Sequence, residues 1–141
     1  MSNGISPKLP LRRDKADGYE LNKTLIEAVE QNFKNLILTN PGERIMDIHF
    51  GAGIRKFLFE QNDTMHFGSI ATAIRNQTDK YLPHITIEDI KITNHNYDWT
   101  ESDGPKERSS MANPVHENEI QISILYSIPA LGHTSIINVG I

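Results

Sequence analysis

The first apolar pattern in the chain has the period of a helix. Thr24 and Glu27 stand three residues apart, as in a capping box, and Pro41-Gly42 supplies a stop signal. This spacing predicts a first helix between those signals. Its apolar face carries Leu25, Val29, Phe33, Leu36 and Ile37.

A second helical pattern follows, and it is predicted from about Phe67 to Leu82. Pro83 closes it, because proline cannot continue a helix. Between the two helices, the stretch "IRKFLFE" predicts a short helical turn. The predicted buried face of the second helix carries Ile70, Ala71, Ile74, Thr78 and Tyr81.

Beyond the second helix the apolar residues alternate with polar ones, which is the period of a strand. Ile85 and Ile87 begin the pattern, and Ile90 and Ile92 continue it after a one-residue shift at Glu88-Asp89. Such a shift predicts a strand with a β-bulge.

Two further strands are predicted near the C-terminus. The stretch "IQISILYSI" places Ile120, Ile122, Ile124, Tyr126 and Ile128 on one face and polar residues with Leu125 on the other. "PALGH" turns the chain, and "TSIINV" predicts a final strand.

This order of elements predicts an α+β fold. Two main helices pack on a small antiparallel sheet that the C-terminal half forms. Residues 1–18 carry polar residues, proline and charges without a sustained period, which predicts a flexible N-terminal arm. Residues 19–141 are predicted to form a single domain. The polar segment 93–118 is interpreted as either an exposed loop or an elongated hairpin connection.

Composition narrows the classes of function. With 141 residues and 38% hydrophobic residues, one core is expected. A net charge of -4 argues against nucleic acid as the main partner, because phosphate binding needs clustered Lys and Arg.

No apolar run approaches the roughly 18 residues of a membrane span, and none follows the basic cluster near the N-terminus, so neither membrane insertion nor an export signal is expected. The absence of cysteine excludes disulfides and thiolate catalysis. The basic cluster consists of Lys8, Arg12, Arg13 and Lys15.

Three carboxylates around the central loop are candidates for acid–base chemistry. Glu43, Asp47 and Glu60 could in principle supply the pair that glycoside hydrolysis needs. Nothing in their spacing brings two of them together across a cleft, and exposed loop charges are the commoner state of Asp and Glu. We therefore expect no catalytic residue among them.

Metal and phosphate sites are equally weak candidates. The histidines stand singly, without the i, i+4 pair of a helical metal site, and "HNYD" is interpreted as a turn. Gly51-Ala52-Gly53 lacks the third glycine of a dinucleotide fingerprint, so it is interpreted as a backbone feature. No metal or cofactor is expected. Trp99 lies among polar residues, where it either caps a hairpin or awaits a partner.

The central segment resembles the GPW/gp25-type baseplate wedge family of contractile-tailed phages and related secretion and injection systems. The family shows a helix ending in Leu-Leu-x-Thr, then Pro-Gly-Glu-Arg, then Phe-Gly-x-Gly, then Leu-Phe-Glu. The resemblance runs from about Leu21 to Ile92. The matching positions are Leu36-Ile37-Leu38-Thr39, Pro41-Gly42-Glu43-Arg44, Phe50-Gly51-Ala52-Gly53 and Leu58-Phe59-Glu60.

This resemblance implies a structural protein that docks on the core proteins of the baseplate wedge. Family members commonly carry Glu-Pro-Arg after the second helix, where this chain has Leu82-Pro83-His84. Docking through a Glu and Arg pair therefore does not carry over, and an apolar contact by Leu82 is the substitute hypothesis. The implied docking residues are Glu43, Arg44, Phe50, Gly51, Gly53, Phe59, Leu82, Pro83 and His84.

The resemblance also implies a tail sheath subunit as a second partner. Six copies would surround the tail axis in a virion baseplate that is assembled in the host cytoplasm, and each would accept a sheath strand at a sheet edge. The side chains of Ile137 and Val139 are expected to set the register of that strand. A peptidoglycan hydrolase and an unrelated adaptor remain the alternatives. The expected edge comprises Ser135, Ile136, Ile137, Asn138 and Val139.

Overall fold

The structure is a computed structural model, and it describes residues 4–59, 64–95, 97–107 and 119–141. The predicted α+β class is confirmed, because two helices precede most of an antiparallel sheet. The helical elements are α1 (Leu25–Leu38), a 3₁₀ helix (Ile54–Phe59), α2 (Thr64–Tyr81) and a 3₁₀ turn (Pro129–Leu131). The strands are β1 (Ser6–Pro7), β2 (Leu21–Asn22), β3 (Thr86–Thr93), β4 (Tyr97–Thr100), β5 (Gly104–Glu107), β6 (Gln121–Ile128) and β7 (His133–Gly140).

Helix α1 begins at the predicted capping box. The Thr24 hydroxyl accepts a hydrogen bond from the Glu27 N–H at 3.2 Å, and the Glu27 carboxylate accepts one from the Thr24 N–H at 3.3 Å. The helix ends at Leu38, and its apolar face packs into the core, except that Leu25 is 53% exposed. Its buried residues are Ala28, Val29, Phe33, Leu36 and Ile37.

Helix α2 begins earlier than the apolar period predicts, at Thr64, and ends at Tyr81. The predicted face is buried at Ile70, Ala71, Ile74 and Thr78, whereas Tyr81 is half-buried. A buried hydroxyl needs a partner, and the Thr78 hydroxyl donates to the Ile74 carbonyl at 2.8 Å.

The main sheet has the order β5-β4-β3-β6-β7, with every neighbouring pair antiparallel. The predicted bulge is confirmed between Ile87 and Asp89. One sheet face packs against the helices, and the Phe33 and Tyr126 rings meet edge to face at 5.1 Å between centroids. The predicted inward residues of β6, namely Ile122, Ile124, Tyr126 and Ile128, are all buried.

Part of the polar segment 93–118 forms a hairpin, with β4 and β5 as its strands. Arg75 of α2 holds the hairpin turn through a two-point contact with the Glu101 carboxylate, at 2.7 and 2.6 Å. Trp99 is half-buried, and its ring lies 6.5 Å from that of Phe67, so it packs on the core. Residues 108–118 lie outside the described residues.

The residues before Tyr19 fold back on the domain. Strands β1 and β2 pair, and Gln31 of α1 accepts from the Leu9 N–H and donates to the Pro7 carbonyl, both at 2.9 Å. The flexibility predicted for this arm, and the boundary at residue 19, stay predictions.

Candidate protein-docking site

The loop from Asn40 to Gly53 follows α1, and hydrogen bonds hold its backbone at both ends. The Ala52 N–H donates to the Leu36 carbonyl at 3.0 Å, and the Gly53 N–H donates to the Thr39 carbonyl at 3.1 Å. These bonds tie the far end of the loop to the last turn of α1. The loop therefore leaves the helix and returns to it.

Gln77 of α2 holds the middle of the loop. Its side-chain carbonyl accepts from the Gly51 N–H and its amide donates to the His49 carbonyl, both at 3.1 Å. Within the loop, the Gly42 N–H donates to the Ile48 carbonyl at 2.7 Å. The backbone conformation is thus set by contacts with both helices.

Two glycines let the loop pass close to α1. Gly51 has φ 113°, and a Cβ atom there would stand 2.2 Å from the Thr39 carbonyl oxygen. Gly53 has φ 66°, and its Cβ would stand 2.7 Å from Cδ of Pro41. The predicted backbone role of this glycine pair agrees with both observations.

The charged and aromatic residues predicted for docking make contacts within the chain. Glu43 accepts from the N–H and the side-chain amide of Asn40, both at 3.0 Å. The Arg44 guanidinium lies 3.6 Å from the centroid of the Phe50 ring, and that ring meets Tyr81 edge to face at 4.9 Å. Phe50 is buried, so its first role is to support the loop.

Three apolar side chains on this loop face solvent. Ile45 is 92% exposed, Met46 98% and Ile48 56%, and we call these three the apolar tip. Sequence patterns missed them, because they follow neither a helical nor a strand period. An available signal was their position among turn-forming and charged residues, where apolar side chains have no core to reach.

A groove of about 260 Å³ lies beside the apolar tip, between α1, the loop and the end of α2. Leu82 lies there half-buried, while Pro83 and His84 are exposed just beyond it. Phe59 ends the 3₁₀ helix, and its side chain lies outside the described residues. The groove is lined by Asn32, Asn35, Leu36, Arg44, Asp47, Phe50, Tyr81 and Leu82.

Asp47 is the carboxylate in this groove. The nearby Tyr81 hydroxyl is the main cause that lowers its pKa, and the His49 N–H and Lys80 contribute. The Tyr81 hydroxyl itself is buried. A lowered pKa keeps Asp47 ionised, which is the opposite of what a general acid needs.

Other chemistry finds little support in the part of the chain that the structure describes. No group of three or more His, Cys, Asp or Glu side chains there could hold a metal ion. None of the helices in that part is long and apolar enough to cross a membrane. The third candidate carboxylate, Glu60, lies outside the described residues.

The two edges of the main sheet differ. Strand β5 has only four residues, "GPKE", and Pro105 and two charges make it a poor template for another strand. Strand β7 has eight residues without proline, and no strand among the described residues pairs with its outer side. The expected edge residues 135–139 therefore lie on the longer and more open edge.

The direction of the β7 backbone groups follows from the pairing. Ile120 and Ile141 exchange two backbone hydrogen bonds of 3.0 and 2.9 Å, and bonded pairs alternate along an antiparallel ladder. In the observed register Ile137 bonds to β6, whereas the N–H and C=O groups of Ile136 and Asn138 point outward. The Ile137 and Val139 side chains are buried in the core. Their role in setting the register of an incoming strand stays a prediction.

The comparisons agree with this architecture. Residues 23–130 match the family model described as baseplate wedge protein gp25. The chain belongs to this family. This match confirms the resemblance seen in the loop motifs. The proteins of the baseplate wedge family are structural components of tail baseplates.

Two solved structures share the fold. A candidate tail lysozyme from Geobacter sulfurreducens aligns with a TM-score of 0.64 and 17% identity, over 86% of this chain and 94% of that one. The anti-feeding prophage baseplate, solved with 6-fold symmetry, contains a chain that aligns with a TM-score of 0.57 and 24% identity, over 84% and 81%. At these identities the likeness shows the fold alone. No curated protein sequence matches the chain.

Proposed function

We propose that this protein is a structural subunit of a contractile-tail baseplate wedge, which docks on the wedge core and starts the sheath. Six copies surround the tail axis in a baseplate that is assembled in the host cytoplasm. The observation that carries the docking role is the apolar tip, held out by a loop that both helices support. Such a surface costs little ordering entropy on binding, because its backbone is already arranged.

The charges of the loop favour an apolar partner surface. Glu43 bonds to Asn40, Arg44 stacks on Phe50, and Asp47 accepts from the His49 N–H at 3.2 Å. Each charged group near the tip therefore has a partner within the chain, and the tip itself adds only apolar area. Its complement is a concave apolar surface, which packed helices of a wedge core protein provide. Leu82, on the groove beside the tip, extends the contact.

The sheath role uses the outer side of β7. The outward backbone groups of Ile136 and Asn138 offer donors and acceptors to a sheath strand, as in β-augmentation. Exposed Asn138 and the exposed neighbours Thr134 and Gly140 keep this edge polar enough to limit self-pairing. The family match and the baseplate neighbour support the setting in which this edge would act.

Docking is tested with Met46→Asp in a co-purification with wedge core proteins. A charge at a site that is 98% exposed leaves the melting temperature unchanged but weakens docking at least tenfold, because it must be desolvated in an apolar interface. Leu131→Asp is the control, since Leu131 is an exposed apolar residue, at 40%, that is not part of the loop. Undiminished docking by Met46→Asp, or equal loss in both variants, contradicts the assignment.

A hydrolase is the second candidate, because one structural neighbour is described as a candidate tail lysozyme. The lowered pKa of Asp47 does not suit an acid catalyst, and Glu43 is engaged with Asn40. We expect purified protein to leave cell walls intact in a turbidity assay. Reproducible clearing that Glu43→Gln or Glu60→Gln abolishes would replace the structural proposal with an enzymatic one.

A further inference from the structure

A second apolar surface lies on the N-terminal arm, which precedes α1, whereas the loop follows α1. Gly4 to Gly18 runs beside the chain that leads into α1, through backbone bonds such as Lys8 N–H to Glu20 carbonyl at 2.8 Å. Among the described residues, three of the ten large exposed hydrophobic side chains lie on this segment, and Tyr19 follows it directly. We call these four the arm surface: Ile5, Leu9, Leu11 and Tyr19, each at least half exposed.

Cations accompany these apolar side chains. Lys8 forms an ion pair with Glu20 at 3.3 Å, but Arg12, Arg13 and Lys15 make none within the described part of the chain. Residues 1–18 carry four Lys or Arg and two Asp or Glu, a net +2. The other residues carry ten and sixteen, a net -6, which together give the total of -4. The chain is thus basic at its arm and acidic elsewhere.

A complementary patch occurs on the open face of the sheet. Leu125 pairs across the strands with Ile136, which is 56% exposed, and on its other side with Asp89. Glu88, next to Asp89 at the bulge, is exposed as well. These four residues form what we call the sheet patch, an apolar pair with two carboxylates at one side, and exposed Lys91 follows two residues beyond Asp89 on the same face.

The arm surface and the sheet patch lie on opposite sides of the molecule. Gln31 holds the arm, and it lies two residues and about 200° around α1 from buried Val29, so it faces away from the core. The sheet patch lies on the sheet face away from the helices. The two surfaces of one molecule therefore cannot meet, but those of two copies can.

We propose that the arm surface of one copy docks on the sheet patch of the next copy. Leu9 and Leu11 cover the Leu125–Ile136 pair, and Arg12 and Arg13 approach Glu88 and Asp89. Such a head-to-tail contact repeats around a ring or along a filament. This inference goes beyond the proposed function and does not depend on it, because the isolated protein tests it.

Disulfide trapping tests the contact, because the chain has no cysteine of its own. Leu11→Cys and Ile136→Cys variants, mixed in equal amounts under mild oxidation, are expected to give a cross-linked heterodimer at least fivefold faster than Leu11→Cys mixed with Met46→Cys. The control is stringent, because Met46 is the more exposed site at 98% against 56%. Equal rates for the two mixtures overturn the proposal.

Charge reversal supplies the second measurement. Arg12→Glu with Arg13→Glu should slow the cross-link severalfold, and so should Glu88→Arg alone, a substitution at an exposed position. Combining the reversed arm with Glu88→Arg should restore part of the rate, since position 88 and the arm then carry opposite charges again, while Asp89 stays acidic. If the combination does not restore part of the rate, the proposal is overturned. The proposal is also overturned if neither reversal slows the cross-link, and the basic arm would then serve an acidic partner other than a second copy.

Discussion

The apolar tip and the β7 edge are both exposed, but they offer different parts of the chain to a partner. At the tip, the backbone is bonded within the molecule and the side chains of Ile45, Met46 and Ile48 are free to make contacts. At β7, the backbone of Ile136 and Asn138 points outward, while alternate side chains are committed to the core.

This difference determines which substitution impairs each surface. We expect side-chain changes at the tip to alter binding without affecting the fold, whereas side-chain changes on the exposed face of β7 leave its main-chain groups in place. The edge is impaired by proline, which removes an N–H. The tip is impaired indirectly when the loop backbone loses its supports.

A large loss of stability is expected from substitution of the glycine that supports the loop. Gly51→Val places a β-branched residue at φ 113° and a Cβ atom 2.2 Å from the Thr39 carbonyl oxygen. We expect the free energy of unfolding to fall by more than about 2 kcal/mol in chemical denaturation. Gly53→Val should cost less, because its Cβ meets the edge of the Pro41 ring at 2.7 Å.

The matched control is Gly68→Val in α2, where a Cβ atom meets nothing within 4 Å and φ is not positive. We expect no loss of stability there, since valine has a higher helix propensity than glycine. Comparable losses at positions 51 and 68 would mean that the loop does not require glycine.

Two neighbouring prolines separate the two sides of β7. Ile137→Pro removes a ladder bond and a buried side chain, so it should cost about 3 kcal/mol or more. Asn138→Pro removes only an outward N–H at an exposed residue, so unfolding should change by less than about 1 kcal/mol.

Sheath assembly is the functional measurement for these prolines. In reconstituted baseplates, Asn138→Pro should retain wedge binding and abolish sheath growth, while Asn138→Ala should allow normal growth because it keeps the N–H. Full-length sheaths on Asn138→Pro baseplates would exclude strand addition at this edge.

A moderate effect is expected from the side chain that links the loop to α2. Gln77→Leu removes the partners of the Gly51 N–H and the His49 carbonyl, so we expect a loss of about 1–2 kcal/mol in stability. Wedge docking should weaken too, although Gln77 is no part of the tip. Exposed Asn76→Leu is the control, and equal docking by both variants would show that the tip needs no backbone support.

The smallest effect concerns pH. The Tyr81 hydroxyl is the main cause of the lowered pKa of Asp47, so the stability that ionised Asp47 contributes is present above its ordinary pKa of 3.8 and is lost as the pH falls below that value. In Tyr81→Phe, the Asp47 pKa measured by NMR titration should rise toward 3.8. An unchanged titration would show that the hydroxyl does not act on this carboxylate.

Much of the fold could be predicted from local patterns. The capping box of Thr24 and Glu27, the bulge between Ile87 and Asp89 and the buried face of β6 are all confirmed. Each depends on interactions among residues that are near in sequence or on a period that only one secondary structure satisfies. The ordered motifs of the loop likewise identified the family before any tertiary contact was known.

Tertiary structure decided which side chains are exposed and which strands form the edges of the sheet. Leu25 keeps the helical period and is nevertheless half exposed, while Trp99 lies among polar residues and packs on the core. The freedom of Ile45 and Met46, and the outward direction of the Asn138 backbone, depend on how distant segments pack and pair. A local pattern indicates which residues can be buried together. Contacts between segments that are distant in sequence decide whether those residues are buried or stay open to another protein.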